Sequence, residues 1–146
     1  MRILGIDYGD ARVGVAISDP LGITAQGLET IQRKQSDKIV LKRLAEIIEQ
    51  YQVEVIALGM PFNLKGEKTV RAQMTEDFLH KLKCKFPKVK IELIDERLTT
   101  VAAHKTMLEL EVKKERKKEI VDTISAQYIL EIYLQKNDCQ NPKDSI

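Results

Sequence analysis

The sequence predicts an α/β fold, a mixed five-stranded sheet with helices on both faces. Two observations predict it. Three strand-like segments come first, followed by helix, strand, helix, strand, helix and helix. A meander followed by α/β crossovers builds such a sheet. The opening strand, Met1-Arg2-Ile3-Leu4-Gly5-Ile6-Asp7, is also apolar at positions of both parities, which marks a central strand covered on both sides. That strand holds an aspartate. A carboxylate in such a setting is costly unless a partner offsets its desolvation, and a hard divalent cation with oxygen ligands is one such partner. A structural aspartate capping a turn is the plain alternative.

The elements follow in order. Gly9-Asp10-Ala11 turns the chain into a hairpin partner over 12–19. Residues 24–31 alternate weakly after Pro20-Leu21-Gly22 and read as a third strand. Ser36 or Asp37 caps a helix running to about Tyr51, with Val40, Leu44, Ile47, Ile48 and Tyr51 at helical spacing. Residues 53–58 read as a short buried strand stopped by Gly59-Met60-Pro61, and 62–68 as a loop. A helix over 69–84 carries Val70, Met74, Phe78 and Leu82 every four residues, and Phe86-Pro87-Lys88 breaks it. Residues 89–94 form the next strand and run into Asp95-Glu96-Arg97. A third helix is capped by Thr99 or Thr100. The charged run 113–118 then precedes a final helix to about Lys136, and the polar tail 137–146 is expected to fray. One domain therefore spans 1–136.

Composition narrows the class. A chain of 146 residues has room for one real core, and 43% apolar with 32% charged residues is the balance of a soluble enzyme. No apolar run is long enough to span a membrane, which gives the expectation of a cytoplasmic protein with no membrane partner. Cys84 and Cys139 have neither metal-ligand spacing nor a disulfide framework. A net charge of +2 does not announce nucleic-acid binding, so any such function must rest on local patches.

Three acidic positions stand out by context: Asp7, the pair Asp95-Glu96 at the carboxyl end of a strand where open α/β sheets place their sites, and Asp122. Strand alternation allows only one of Asp95 and Glu96 to point into a shared site, and the sequence leaves that choice open. Helical spacing sets Asp122 on the stripe of Ala126, Ile129 and Tyr133, so it faces the sheet. If it lies in the first turn, the helix dipole favours its charge. Converging carboxylates suit Mg²⁺ or Mn²⁺, and a two-metal site can hydrolyse a phosphodiester. Arg12, Arg97 and Lys113 to Lys118 lie near these acids in sequence and could hold phosphates; a solvated face is the plain reading of the lysine run. His80 and His104 have no partner at a recognisable spacing.

At these residues the chain resembles the YqgF family, also called RuvX-like, of the ribonuclease H-like superfamily. Gly5-Ile6-Asp7-Tyr8-Gly9 with Arg12, Gly14-Val15-Ala16 and Ser18-Asp19 is similar to its opening motif. Leu58-Gly59-Met60-Pro61 with Gly66, Asp95 to Thr100 with Ala102, and Lys117-Lys118 with Asp122, Ser125, Ala126, Ile129 and Leu130 are similar to its other three. The resemblance implies a three-layer ribonuclease H-like fold and a metal-dependent nuclease. It carries Asp7, Glu96 and Asp122 over as the catalytic, metal-holding acids; Arg12, Arg97 and Lys118, near those acids in sequence, are the residues expected to hold substrate. RuvC resolvases keep a glutamate on the strand matching 53–58, whereas here that strand ends in Leu58-Gly59-Met60 without an acid. Ser125 stands where the family often has Ala.

Members are described as nucleases maturing the 5′ end of 16S ribosomal RNA and as Holliday junction resolvases. The first is the leading expectation, with structured precursor RNA as partner and Mg²⁺ or Mn²⁺ as cofactor. Alternatives are a resolvase acting on branched DNA, a kinase-like or actin-like ATPase that 146 residues are too few to complete, and a non-catalytic RNA-binding module. The chain is expected to be a monomer or homodimer.

Overall fold

The computed structural model describes residues 1–34, 36–61, 65, 69–95 and 117–140, with the backbone alone for 117–122 and 137–140. Five strands form one sheet: β1 (Arg2–Tyr8), β2 (Arg12–Ser18), β3 (Ala25–Gln32), β4 (Val53–Met60) and β5 (Lys90–Asp95). Their order is β3-β2-β1-β4-β5. β1 pairs antiparallel with β2 and parallel with β4, β2 pairs antiparallel with β3, and β4 parallel with β5. β1 is thus the central strand that its apolar pattern predicts. The sheet is mixed because the meander supplies its antiparallel half and the crossovers supply its parallel half.

Three helices are described: α1 (Asp37–Tyr51), α2 (Val70–Lys85) and α3 (Lys117–Gln140). α1 and α2 cover one face. Leu4, Ile6 and Tyr8 of β1 pack there with Val40, Leu44 and Ile47 of α1 and Phe78 and Leu82 of α2. α3 covers the other, where Ile3, Ala16, Val55, Ala57 and Ile94 meet Ala126, Ile129, Leu130 and Tyr133. Ser36 is the N-cap of α1, its side chain accepting from Lys38 N, and Thr69 caps α2 by accepting from Ala72 N.

Several expected boundaries shift. β4 continues to Met60 rather than stopping at Leu58, because Gly59 and Met60 still find partners in Ile94 and Asp95. α3 starts at Lys117, which takes Lys117 and Lys118 into the helix and puts Asp122 in its second turn, where the dipole is weaker than in the first. It also runs to Gln140, four residues past the expected end. On α2 the buried residues are Ala72, Thr75, Phe78 and Leu82, while Val70 is 81% exposed. Four residues turn a helix by about 400°, so a strict four-residue spacing drifts by about 40° per step and carries Val70 off the stripe. The loop over 62–68, apart from Lys65, and the helix expected after Thr99 or Thr100 lie outside the described residues.

Candidate active site

The acid of the first strand is buried: Asp7 is 5% exposed. Alternation along β1 sends Leu4, Ile6 and Tyr8 to the α1/α2 face and Ile3, Gly5 and Asp7 to the α3 face. At Gly5 the helix lies directly on the strand. A Cβ there would come within 2.7 Å of the Ala126 carbonyl oxygen and 2.8 Å of Leu130 Cβ, so glycine is required for this approach. α3 runs antiparallel to β1. Its residues Leu134 and Gln135 lie beside Ile23 to Ala25, at the amino end of β1, and Thr123 lies over Gly27 further along the sheet. Gly27 is in register with Gly5 through Ala16, so α3 crosses the sheet at this level and its first turns lie on the face that Asp7 shares.

A further acid is expected at the end of β5. Leu58 pairs with both Ile6 and Leu93, and Gly59 with Ile94. One step past the Ile6–Leu58 pair, Asp7, Gly59 and Ile94 form one row across three strands. Gly59 contributes no side chain between them. Ile94 packs with the α3 face, as alternation with Lys90 and Glu92 predicts, and Lys90 and Glu92 form an ion pair at 2.9 Å. Asp95 has the opposite parity and pairs with Met60, so it points to the α1/α2 face, away from Asp7. Glu96 and Arg97 lie outside the described residues, and the side chains of Lys118 and Asp122 are likewise not described. Arg12 opens β2 beside the carboxyl end of β1 and is partly buried. Of the expected site residues, then, the structure places Asp7 and Arg12 near one end of the sheet, and residues 118 and 122 within α3. Among the described residues no three His, Cys, Asp or Glu side chains form a metal-binding group.

Two features escaped the sequence reading. The first is a charged cluster behind Asp7. Asp37 Oδ1 accepts from Tyr8 Oη and from Arg33 Nε, both at 2.7 Å, and Asp37 Oδ2 accepts from Lys81 Nζ at 2.7 Å. The Tyr8 ring stacks on Phe78 with centroids 4.2 Å apart, and the Arg33 guanidinium lies over Tyr8 at 5.5 Å. Arg33 also binds the β1–β2 turn, through Nη1 to the Asp10 carbonyl at 2.9 Å and through its backbone N to the Ala11 carbonyl. Burial pushes the Asp37 carboxyl up, but the hydrogen bonds from Arg33, Lys81 and Tyr8 outweigh it and hold the group below its ordinary value. Burial, then the Asp37 bond and charge, push the Tyr8 phenol well above its ordinary value. Only the Arg33/Asp37 pair has a local signal, its spacing of four residues. The second feature is Arg71, at the head of α2, whose Nη2 lies 4.0 Å from the point that a Cβ on Gly9 would occupy.

Comparison with known proteins fits this geometry. The family model RuvX, described as Holliday junction resolvase, matches residues 1–136. A Ruminiclostridium cellulolyticum protein named "Putative pre-16S rRNA nuclease" is 54% identical over 136 residues, covering 93% of this chain and 95% of that one. An Acetivibrio thermocellus protein of the same name is 48% identical over 134 residues, covering 92% and 95%. In fold the chain is similar to Thermus thermophilus RuvC, solved in complex with a Holliday junction substrate. The TM-score is 0.61 at 16% identity, over 93% of this chain and 96% of that one. The chain belongs to the RuvX family, also called YqgF, and its fold is ribonuclease H-like.

Proposed function

We propose that this protein is a divalent-metal-dependent nuclease of the cytoplasm that matures the 5′ end of the 16S ribosomal RNA precursor. The observation that carries the reading is the buried Asp7 on a central strand, on the face that α3 covers. The names of the relatives support the reaction class and point to the substrate. Asp7, Glu96 and Asp122 are the acids we assign to the metal. Glu96 is preferred to Asp95 because strand parity turns Asp95 to the opposite face. The set is all oxygen, which suits Mg²⁺ or Mn²⁺, ions that are held by few carboxylates together with substrate phosphates. Such an ion, when bound, activates a water and stabilises the leaving oxygen of a phosphodiester. The protein supplies the rest. Asp7 is held on a central strand that cannot shift without breaking two ladders, and Arg12, Arg97 and Lys118 are assigned to the substrate backbone.

A second reading, cleavage of four-way DNA junctions, is favoured by the family description. It uses the same acids. The deciding test is a cleavage assay in Mg²⁺ and Mn²⁺ that compares a 5′-extended 16S precursor, a four-way junction and linear controls. Trimming of the precursor without paired symmetric junction cuts supports the first reading, and the reverse pattern supports the second.

A further inference from the structure

The turn after β1 is overhung by a guanidinium from a distant part of the chain. Gly9 N donates to the Arg12 carbonyl at 3.0 Å, closing the turn. A Cβ on Gly9 would lie 2.7 Å from that same carbonyl oxygen, so the turn must present bare backbone here. Above this bare surface sits Arg71, the second residue of α2. Two other described arginines are committed to carboxylates: Arg33 to Asp37, and Arg43 to Glu29 and Glu46. Arg71 is exposed, α2 has no acid in its first turn, and among the described residues the Arg71 guanidinium enters no hydrogen bond or ion pair. Its place matters as much as its charge. Gly9 is two residues beyond Asp7, about 7 Å along the strand, at the carboxyl end of the parallel pair β1 and β4 where ligands of such sheets bind.

We propose that Arg71 is a substrate-binding residue of the Asp7 site, its guanidinium taking the non-bridging oxygens of a backbone phosphate that runs over the Gly9 turn. The proposal rests on the nuclease reading and adds to it a phosphate contact from α2. A guanidinium fork matches two phosphate oxygens at once, which a lysine ammonium does not. The contact is to backbone and carries no base information. It also defines a path: strand β1 delivers the acid, and the head of α2 holds the chain alongside it.

The test uses the full-length protein, a fluorescein-labelled RNA spanning the 5′ leader and the start of 16S RNA, and a labelled four-way DNA junction. Wild type, Arg71→Ala and Arg71→Lys are titrated with each probe across a salt series. Arg71→Ala is expected to weaken binding about tenfold and to lower the slope of log K against log salt by about 0.7 to 0.9. Its melting temperature stays at the wild-type value, because the side chain is exposed. In cleavage the loss falls on KM. Arg71→Lys recovers the slope but only part of the affinity. Unchanged affinity and slope in Arg71→Ala would overturn the inference, as would a fall in melting temperature that accounts for the whole loss. Failure of the function reading is seen separately. If wild type binds the RNA and never cuts it, the nuclease assignment fails while the phosphate contact is still judged on binding. If wild type binds neither probe, both fail.

Discussion

Two buried aspartates lie back to back across the end of β1. Asp7 is on the α3 face; Asp37, at the head of α1, is on the other and bonds to Tyr8, the residue that follows Asp7. By burial they are alike, at 5% and 7% exposed. By surroundings they differ. The oxygens of Asp37 are filled by Tyr8, Arg33 and Lys81, all contributed by the chain itself. Those partners tie α1, α2, β1 and the β1–β2 turn together. Asp7 lies on the opposite face, which α3 covers, at the end of the sheet where β4 and β5 also end. Burial says only that a carboxylate has been compensated; for Asp37 the compensating groups are a tie between elements of the fold.

The comparison breaks most severely if Asp37 is removed. Asp37→Ala leaves Arg33, 19% exposed, and Tyr8 without their shared acceptor. Loss of one partner from a buried charge network costs about 3 kcal/mol or more, at the low end here because Lys81 is half exposed and screened. Thermal melting should show a fall of several degrees. Melting within a degree of wild type would mean that the cluster is not a structural tie.

Gly5→Ala tests the other side. The added methyl meets a helix carbonyl and Leu130 Cβ, both backbone-fixed. Overpacking of this kind costs about 1–3 kcal/mol. It should also lower cleavage beyond what stability explains, since it pushes α3 away from the sheet face that carries Asp7. A variant that loses stability and keeps full turnover would separate α3 from the site.

How much of this was legible in the sequence follows from where each partner lies in the chain. Asp7 could be singled out because Ile3, Leu4 and Ile6 around it mark a strand covered on both faces. The buried stripe of the last helix could be read because Ala126, Ile129 and Tyr133 recur at helical spacing, and all three are buried. Both signals are local periodicities. Asp37 looked like a helix cap because its donors come from positions 8, 33 and 81, which only the fold brings together. Arg71 has no local signal for the same reason: it is far from Asp7 in sequence, and α2 carries it to Gly9 through space. Val70 was misplaced because four-residue spacing outruns the helical repeat.

The pH dependence of stability sharpens the contrast. The folded-state pKa of Asp37 is lowered, so its contribution is present above the unfolded carboxylate value of about 3.9 and is lost as pH falls through the folded one. Asp37→Asn should therefore flatten part of the acid limb of a denaturation–pH profile. The folded-state pKa of Tyr8 is raised, so its contribution is present below about pH 10 and is lost as pH rises above that value. Tyr8→Phe should remove that alkaline loss and cost about 1 kcal/mol at neutral pH for the missing hydrogen bond. An unchanged alkaline limb in Tyr8→Phe would assign it to other groups. The smallest effect is expected at Arg43→Ala, whose carboxylate partners are exposed or partly so, at about 1 kcal/mol or less.

The most direct measurement is the cleavage of 5′-extended 16S precursor RNA by wild type and by Asp7→Asn, in Mg²⁺ and in Mn²⁺, with RNA affinity measured on the same samples. The substitution keeps the shape of the side chain and removes the charge assigned to the metal. Wild type should trim the leader, and Asp7→Asn should bind the RNA at least as tightly and leave it uncut. Trimming by Asp7→Asn at the wild-type rate would contradict the assignment of Asp7 and the site built around it.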